Sequence, residues 1–410
     1  MSTRNGKIIL IGIVIGAILG GLSGSIWIDA MKDVKWIGDF FKDSLKMLIV
    51  PVVVFSMISG ISSLGNVKKL GGIGTKTLLY YFITTGIAVV IGIIVVNIIQ
   101  PGVGVDNSGA KLLAKVTSVK DKSFLDIISG LVHPNILSAM SMKSPKMMPT
   151  IIFSIMVGIA IASMGKKAKV AKRFFSVMND VTMKLVSWIF WLAPVGIFGL
   201  IASQVAHAGG SKGLAALVSK VGAYFGTVVA GLTIHGLIVL PLIYYLVTRK
   251  NPLIFFRNMA DALGTAFSTA SSSATLPLTM ECAVDFNKIP KKSASFVLPL
   301  GATINMDGTA LYEAVAAITI AQVYGIDLSI GQQIIIFITA NLAAIGAAGI
   351  PQAGFVTMVL VLQSVGLPLE GMSLILGVDW LLDRFRTTVN VWGDSIGAAV
   401  IATTKEIRKA

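Results

Sequence analysis

Apolar residues fall along this chain in long unbroken runs, each far longer than a soluble helix or strand needs. Residues 8–28, 47–67, 77–105, 147–165, 185–211 and 221–248 contain no Asp, Glu, Lys or Arg. A helix of about 20 apolar residues crosses the hydrocarbon of a bilayer, so each run predicts a membrane span. The first run begins close to the amino terminus. It is long, lacks a small-residue cleavage site, and is followed by five more, so it reads as the first span rather than a cleaved leader.

The last 150 or so residues change character. Residues 262–280 are apolar but interrupted by Ser271-Ser272-Ser273 and Pro277. Residues 328–369 have no charge but contain Gly346, Gly349, Pro351 and Gly354. Interrupted apolar segments in corresponding positions predict re-entrant hairpins around a binding site. Each is followed by a span carrying polar residues, 293–324 and 371–404, so the hairpin-plus-helix unit occurs twice as an internal structural repeat. Unpaired backbone amides at the hairpin tips cannot face lipid, so the tips are expected inside protein or against an aqueous cavity, open to a polar ligand or ions.

Charge supplies orientation. Lys68, Lys69 and Lys76, then Lys166, Lys167, Lys169, Lys172 and Arg173, then Arg249, Lys250 and Arg257 occupy alternate connections. The positive-inside rule places these in the cytoplasm, with both termini. Between the first two runs, Lys32, Lys35, Lys42 and Lys46 mix with Asp29, Asp33, Asp39 and Asp43, which fits the outer side. Composition agrees with a membrane protein. Of 410 residues only 13% are charged and 55% are hydrophobic, against roughly 25% charged in soluble chains. Mean hydropathy is +0.84. The net charge of +15 is assigned to topology and anionic lipid, with no nucleic-acid-binding signature beside it. One cysteine, Cys282, rules out an intrachain disulfide. His133, His207 and His235 have no metal-ligand spacing. No nucleophile–base pair points to an enzyme.

The chemistry gathers near the carboxyl end. At about 100° per residue, Asp379, Asp383, Arg386, Asn390 and Asp394 share one stripe of the last span, Thr387 lies at its edge, and Arg384 falls off it. Ionisable groups inside a span mark substrate or ion paths. The alternative is that Asp379, Asp383 and Arg386 only neutralise one another, but three acids to one base leave negative charge for cations to balance. The planar fork of Arg386 suits a carboxylate, and Asp383 suits an ammonium. The pair reads as a receptor for an amino acid with a second carboxylate. A C4-dicarboxylate lacks the amine, and a neutral amino acid lacks the second carboxylate. An ion channel would need like residues ringing an open axis. In the preceding polar span, Gly308 marks a place where the helix can unwind around Asn305, Asp307 and Thr309. An unwound stretch offers carbonyl oxygens to a hard cation such as sodium. Tyr81, Thr84 and Thr85 share a face of the third span. Glu313, one turn past Thr309, is a candidate proton carrier; otherwise it is an interfacial, solvated acid.

Four ordered segments resemble a known family: Ser271-Ser272-Ser273-Ala274-Thr275-Leu276-Pro277, Asn305-Met306-Asp307-Gly308-Thr309, Gly349-Ile350-Pro351-Gln352-Ala353-Gly354, and the last span from Asp379 to Asp394. The chain resembles the glutamate/aspartate transporters, the dicarboxylate/amino acid:cation symporters, along essentially its whole length. The resemblance implies an all-α polytopic fold of eight transmembrane helices and two re-entrant hairpins in inverted repeats. It also implies a homotrimer in the cell membrane that works as an elevator. Residues 1–76 would hold scaffold spans one and two, and 77–105 span three of the transport domain. Residues 106–220 would hold scaffold spans four and five with an extracellular loop, and 221–410 the rest of the transport domain.

By the same resemblance Arg386 would bind the substrate's side-chain carboxylate and Asp383 its amino group. Ser271, Ser272, Ser273 and Asn390 would hold the α-carboxylate, with Thr309, Thr387, Ile350, Pro351, Gln352, Ala353 and Gly354 completing the pocket. One sodium would use Gly301, Asn305, Asn390 and Asp394. A second would use Tyr81, Thr84, Thr85, Asn305 and Asp307. A third would use Met306 with carbonyls of Thr303, Ala344, Ile345 and Ala347. Sodium-only prokaryotic members often carry Arg where this chain has Ala270, and Gln where it has Glu313. Arg384 and Glu313 instead follow the animal excitatory amino-acid transporters, which implies proton co-transport and potassium counter-transport. In this arrangement Arg384 could pair with Glu313 and hold it ionised.

Overall fold

A computed structural model describes residues 3–63, 72–103, 132–141, 146–346 and 353–404, and every regular element among them is helical. Each of the six apolar runs, where described, lies mainly on a helix: Thr3–Ile26, Ile49–Ser63, Gly72–Ile99, Met147–Ser163, Ala193–His207 and Ser211–Thr248. Among the described residues three helices are, by length and composition, long and apolar enough to cross a membrane: Gly72–Ile99, Gly165–His207 and Ser211–Thr248. Two connections are more ordered than their charge pattern predicts. Lys35–Met47 is a helix with alternating apolar and charged faces, and Lys166 to Arg173 run through a single tight turn into the Lys169–Ile189 helix. In both, charges spaced along one helix face resemble a polar loop when read only as composition. Lys68 and Lys69 lie outside the described residues.

Small residues set the closest approach of helices. Gly12, Gly16, Gly20 and Gly24 form a ridge on the Thr3–Ile26 helix, which lies along Ala193–His207. A Cβ on Gly16 would sit 2.2 Å from the Pro194 carbonyl oxygen, and one on Gly24 2.5 Å from that of Ala202. Lipid tails are as apolar as leucine, so membrane helices adhere through such tight contacts and not by excluding water.

The Asp307–Val323 helix is the central element. Every residue from Asp307 to Ala321 is buried. It packs against Gly72–Ile99 on one side and the last helix, Met372–Ala402, on another. The first interrupted segment folds as two helices, Ala260–Thr269 and Ser272–Glu281. Their junction is Ala270, in the left-handed region at φ 50°, and the extended Ser271. Pro277 is carried inside the second helix and does not end it. The second interrupted segment gives Ile330–Gly346 and Ala353–Ser364. Ala347, Ile350, Pro351 and Gln352, expected at its tip, lie outside the described residues.

Gly16→Val should force the first and fifth apolar helices apart at a cost of about 1–3 kcal/mol, the usual penalty of overpacking. Thermal unfolding in detergent checks this against Gly226→Ala, where nothing lies within 4 Å of the added Cβ. The valine should lower the midpoint and the alanine should not.

Candidate functional site

The backbone breaks at Asn305 and Met306, not at Gly308. The Lys291–Ile304 helix stops because Asn305 (φ −110°, ψ 80°) and Met306 (φ −110°, ψ 57°) leave helical space, and a new helix starts at Asp307. Gly308 lies inside that helix. It is glycine for contact, since a Cβ there would lie 2.7 Å from the Arg386 carbonyl oxygen. A helix end leaves its last carbonyls without amide partners.

Two acid clusters flank the break. Asp394 Oδ1 accepts from Asn305 Nδ2 at 2.9 Å. A Cβ on Gly301 would lie 2.2 Å from the same carboxylate oxygen and 2.7 Å from the Tyr81 hydroxyl. Tyr81 donates to the Val297 carbonyl at 2.7 Å, which sets it on the Asp394 side of the break. Asp307 Oδ1 accepts from Thr85 Oγ1 at 2.7 Å and from Thr84 Oγ1 at 3.4 Å. Thr84 also reaches Asn305 Oδ1 at 3.5 Å, so Asn305 joins the clusters. A hydroxyl that donates to a carboxylate keeps lone pairs for a cation. Carboxylates, hydroxyls, an amide oxygen and free carbonyls are the oxygen donor set that sodium takes. Of the residues read for a third ion, Met306 is buried, Thr303 is exposed, and Ala344 and Ile345 end the Ile330–Gly346 helix.

Asn390 fastens the break to the last helix. Its Oδ1 accepts from Gly308 N at 2.8 Å, and its Nδ2 donates to Met306 Sδ at 3.2 Å and Thr309 Oγ1 at 3.3 Å. One turn before Asn390, Arg386 is fully buried. It donates from Nη1 to Asp379 at 2.9 Å and from Nη2 to Asp383 at 2.8 Å. Its guanidinium carbon lies 3.8 Å from the centre of the Tyr312 ring, a cation–π contact. The structure therefore makes the mutual pairing of all three charges that the stripe allowed. Gly354, from the second hairpin, closes over the same spot: a Cβ there would meet Arg386 Nη1 at 3.2 Å and Thr309 Cγ2 at 3.0 Å. Thr387 is buried beside Arg386. In the first hairpin, Ser271 Oγ accepts from Ala274 N at 3.2 Å as a helix cap, Ser272 is buried and Ser273 is exposed.

Glu313 is completely buried, so it is not an interfacial, solvated acid. Thr357 of the second hairpin donates to its Oε1, and its Oε2 has no partner among the described residues. Arg384 does not pair with it. Its Nη1 donates to the carbonyls of Phe267 and Ser268, at 2.9 and 2.7 Å, at the end of the first hairpin's first arm. Sequence reasoning passed over His235, whose Nε2 lies 3.1 Å from Asp307 Oδ2 with both side chains fully buried. The available signal was an ionisable residue inside an apolar run.

Buried carboxylates thus lie around a broken helix, with a buried guanidinium on the helix packed against it. The family model for the sodium:dicarboxylate symporters matches residues 7–404. Excitatory amino acid transporter 1 of Ambystoma tigrinum is 40% identical, covering 97% of this chain and 83% of its own length. Excitatory amino acid transporter 3 of Mus musculus is 42% identical, with 96% and 83% covered. Excitatory amino acid transporter 2 of Mus musculus is 42% identical, with 95% and 77% covered. The chain belongs to the sodium:dicarboxylate symporter family: it is a secondary transporter and not an enzyme, with sodium as a coupling ion.

Asp307→Asn and Asp394→Asn each remove a full negative charge from one cluster. Both should weaken sodium binding and, through linkage, substrate binding by the same coupling free energy, typically about 5–150-fold. Substrate affinity measured across a sodium titration checks this. A sodium dependence as steep as the parent's in both variants would place the ion sites elsewhere.

Proposed function

We propose that the chain carries L-aspartate and L-glutamate into the cell with sodium. The observation that carries this reading is the buried fork of Arg386 held between Asp379 and Asp383. A guanidinium and a carboxylate within one turn match a substrate with a carboxylate and an ammonium. Asp383 argues against a plain dicarboxylate, and Arg386 against a neutral amino acid. The names of the excitatory amino acid transporters agree with an amino acid as substrate. In this reading the substrate carboxylate takes the place of one aspartate on Arg386, and the released aspartate meets the ammonium. Asn390, Thr309, Thr387, Gly354 and the Ser271–Ser273 tip complete the pocket.

The wider reading is a homotrimer in the cell membrane with both termini in the cytoplasm, eight spans and two hairpins. Spans one, two, four and five would be a fixed scaffold, and the remaining elements an elevator domain that carries substrate and ions together. The glycine-lined contact between the first and fifth apolar helices supports a rigid scaffold. Proton co-transport and potassium counter-transport are assigned to Glu313, which is buried and bonded to the second hairpin through Thr357.

Arg386→Ala should cost acidic substrates about 3–5 kcal/mol, because a carboxylate would be buried without its cation. Competition binding against aspartate, glutamate and small neutral amino acids is the check. Unchanged aspartate affinity would remove Arg386 from the pocket.

Glu313→Gln should abolish the pH dependence of net uptake and its stimulation by internal potassium. Sodium-driven aspartate exchange should survive. Proteoliposomes with separately imposed sodium, proton and potassium gradients test this. A parental response to pH and potassium would mean that Glu313 is not the coupling residue.

A further inference from the structure

Span 221–248 is apolar except for a few polar side chains, and His235 is one of them. Its placement begins with a proline. Pro241 has no N–H, so in regular α geometry it cannot serve the carbonyl four residues back, and its ring crowds that turn. The helix answers by widening. Residues Ile234–Val239 form a π-turn in which Leu240 N bonds back to the His235 carbonyl. In that register the Gly236 carbonyl faces position 241, which has no donor to offer. Trp392 of the last helix supplies it, donating Nε1–H at 2.9 Å. Gly236 itself lies against the last helix, where a Cβ would be 3.3 Å from Val389. The extra residue in the turn and the indole bond together fix His235, fully buried, with Nε2 3.1 Å from Asp307 Oδ2. Single π-turns inside α-helices occur frequently at functional sites.

A carboxylate only accepts, so the hydrogen between them sits on Nε2. The division of labour on Asp307 is then complete. Oδ2 is held by His235, and Oδ1 is turned to Thr84 and Thr85, the residues read above as sodium ligands. We infer that His235 is a positioning residue for sodium, aiming the Asp307 carboxylate by its Nε2–H donation without touching the ion. This rests on the reading of Asp307 as a sodium ligand. A partner behind a metal-binding carboxylate sets its orientation, and losing one typically weakens metal affinity about 10–100-fold.

Three substitutions separate positioning from packing. In His235→Gln the amide nitrogen falls near the place of Nε2 and still donates. In His235→Asn it is too short to reach Asp307. In His235→Met the volume is kept and the donor lost. The readout is sodium-induced protection against heat unfolding of the purified full chain, with sodium chloride titrated against choline chloride and no amino acid present. Aspartate binding at saturating sodium is measured alongside.

Asn and Met should raise the half-saturating sodium concentration about tenfold or more. Gln should stay close to the parent, and all three should bind aspartate like the parent once sodium saturates. If the methionine variant does not fold, the Gln–Asn pair decides alone. Parental sodium dependence in Asn, or a loss in Gln equal to that in Asn, overturns the inference. Asp307→Asn runs beside them. If it weakens sodium while the His235 variants do not, only the role of His235 fails. If it leaves sodium untouched, the ion-site reading fails and takes this inference with it.

Discussion

Among the described residues five carboxyl groups, those of Asp307, Glu313, Asp379, Asp383 and Asp394, are buried, and the buried guanidinium is that of Arg386. Arg386 reaches two of them. A buried carboxylate without a partner is costly enough that an interior does not hold several of them bare. Hydroxyls, amides and an imidazole soften the field at Asp307 and Asp394 but bring no permanent positive charge. Full balance requires protons or other cations from outside the chain. The charge deficit is therefore not a defect of the core. In the proposed reading, transported sodium meets part of it.

The backbone follows from this constraint. A broken helix is tolerated at membrane depth only where protein covers it, and the helix beginning at Asp307 is the most thoroughly buried element of the structure. Covering it needs close approach, which explains glycine at two positions. Gly308 admits the Arg386 backbone, and Gly301 admits the Asp394 carboxylate. Asn390 then closes the gap from the opposite helix, bonding to a backbone amide, a sulfur and a hydroxyl of the interrupted segment.

Much of this was legible before the fold was known, and the misses have physical causes. The stripe from Asp379 to Asp394 was readable because helical periodicity is local and charges in an apolar span stand out. Both hairpins were readable from interrupted apolar runs. The position of the break was not, because Gly308 next to Asn305 looks like a hinge when its partner, the Arg386 carbonyl, is 78 positions away. Arg384 was placed correctly off the stripe, but its carbonyl partners on the first hairpin follow only from tertiary packing. His235 was invisible for a similar reason. Its meaning lies in Asp307, far along the chain, and in a proline that changes the helix register six residues later. The Lys35–Met47 and Lys169–Ile189 helices show the converse case, since a face of charges reads as a connection while the residues form a helix.

In the proposed reading, coupling between ions and solute has a concrete carrier. Asn305, Met306, Asp307, Gly308 and Thr309 are consecutive, and their partners divide between the two functions. Asp307 and Asn305 face the acid clusters, Thr309 and Gly308 face Asn390, and Gly308 also touches the Arg386 backbone. A cation that straightens or fixes the break therefore moves the atoms that shape the solute pocket, without any intervening relay. Linkage makes the effect mutual: a solute that organises Asn390 and Arg386 must favour the ion sites by the same free energy. In the proposed reading, one break and the first turn of the helix after it serve both ligands, which gives symport a physical basis.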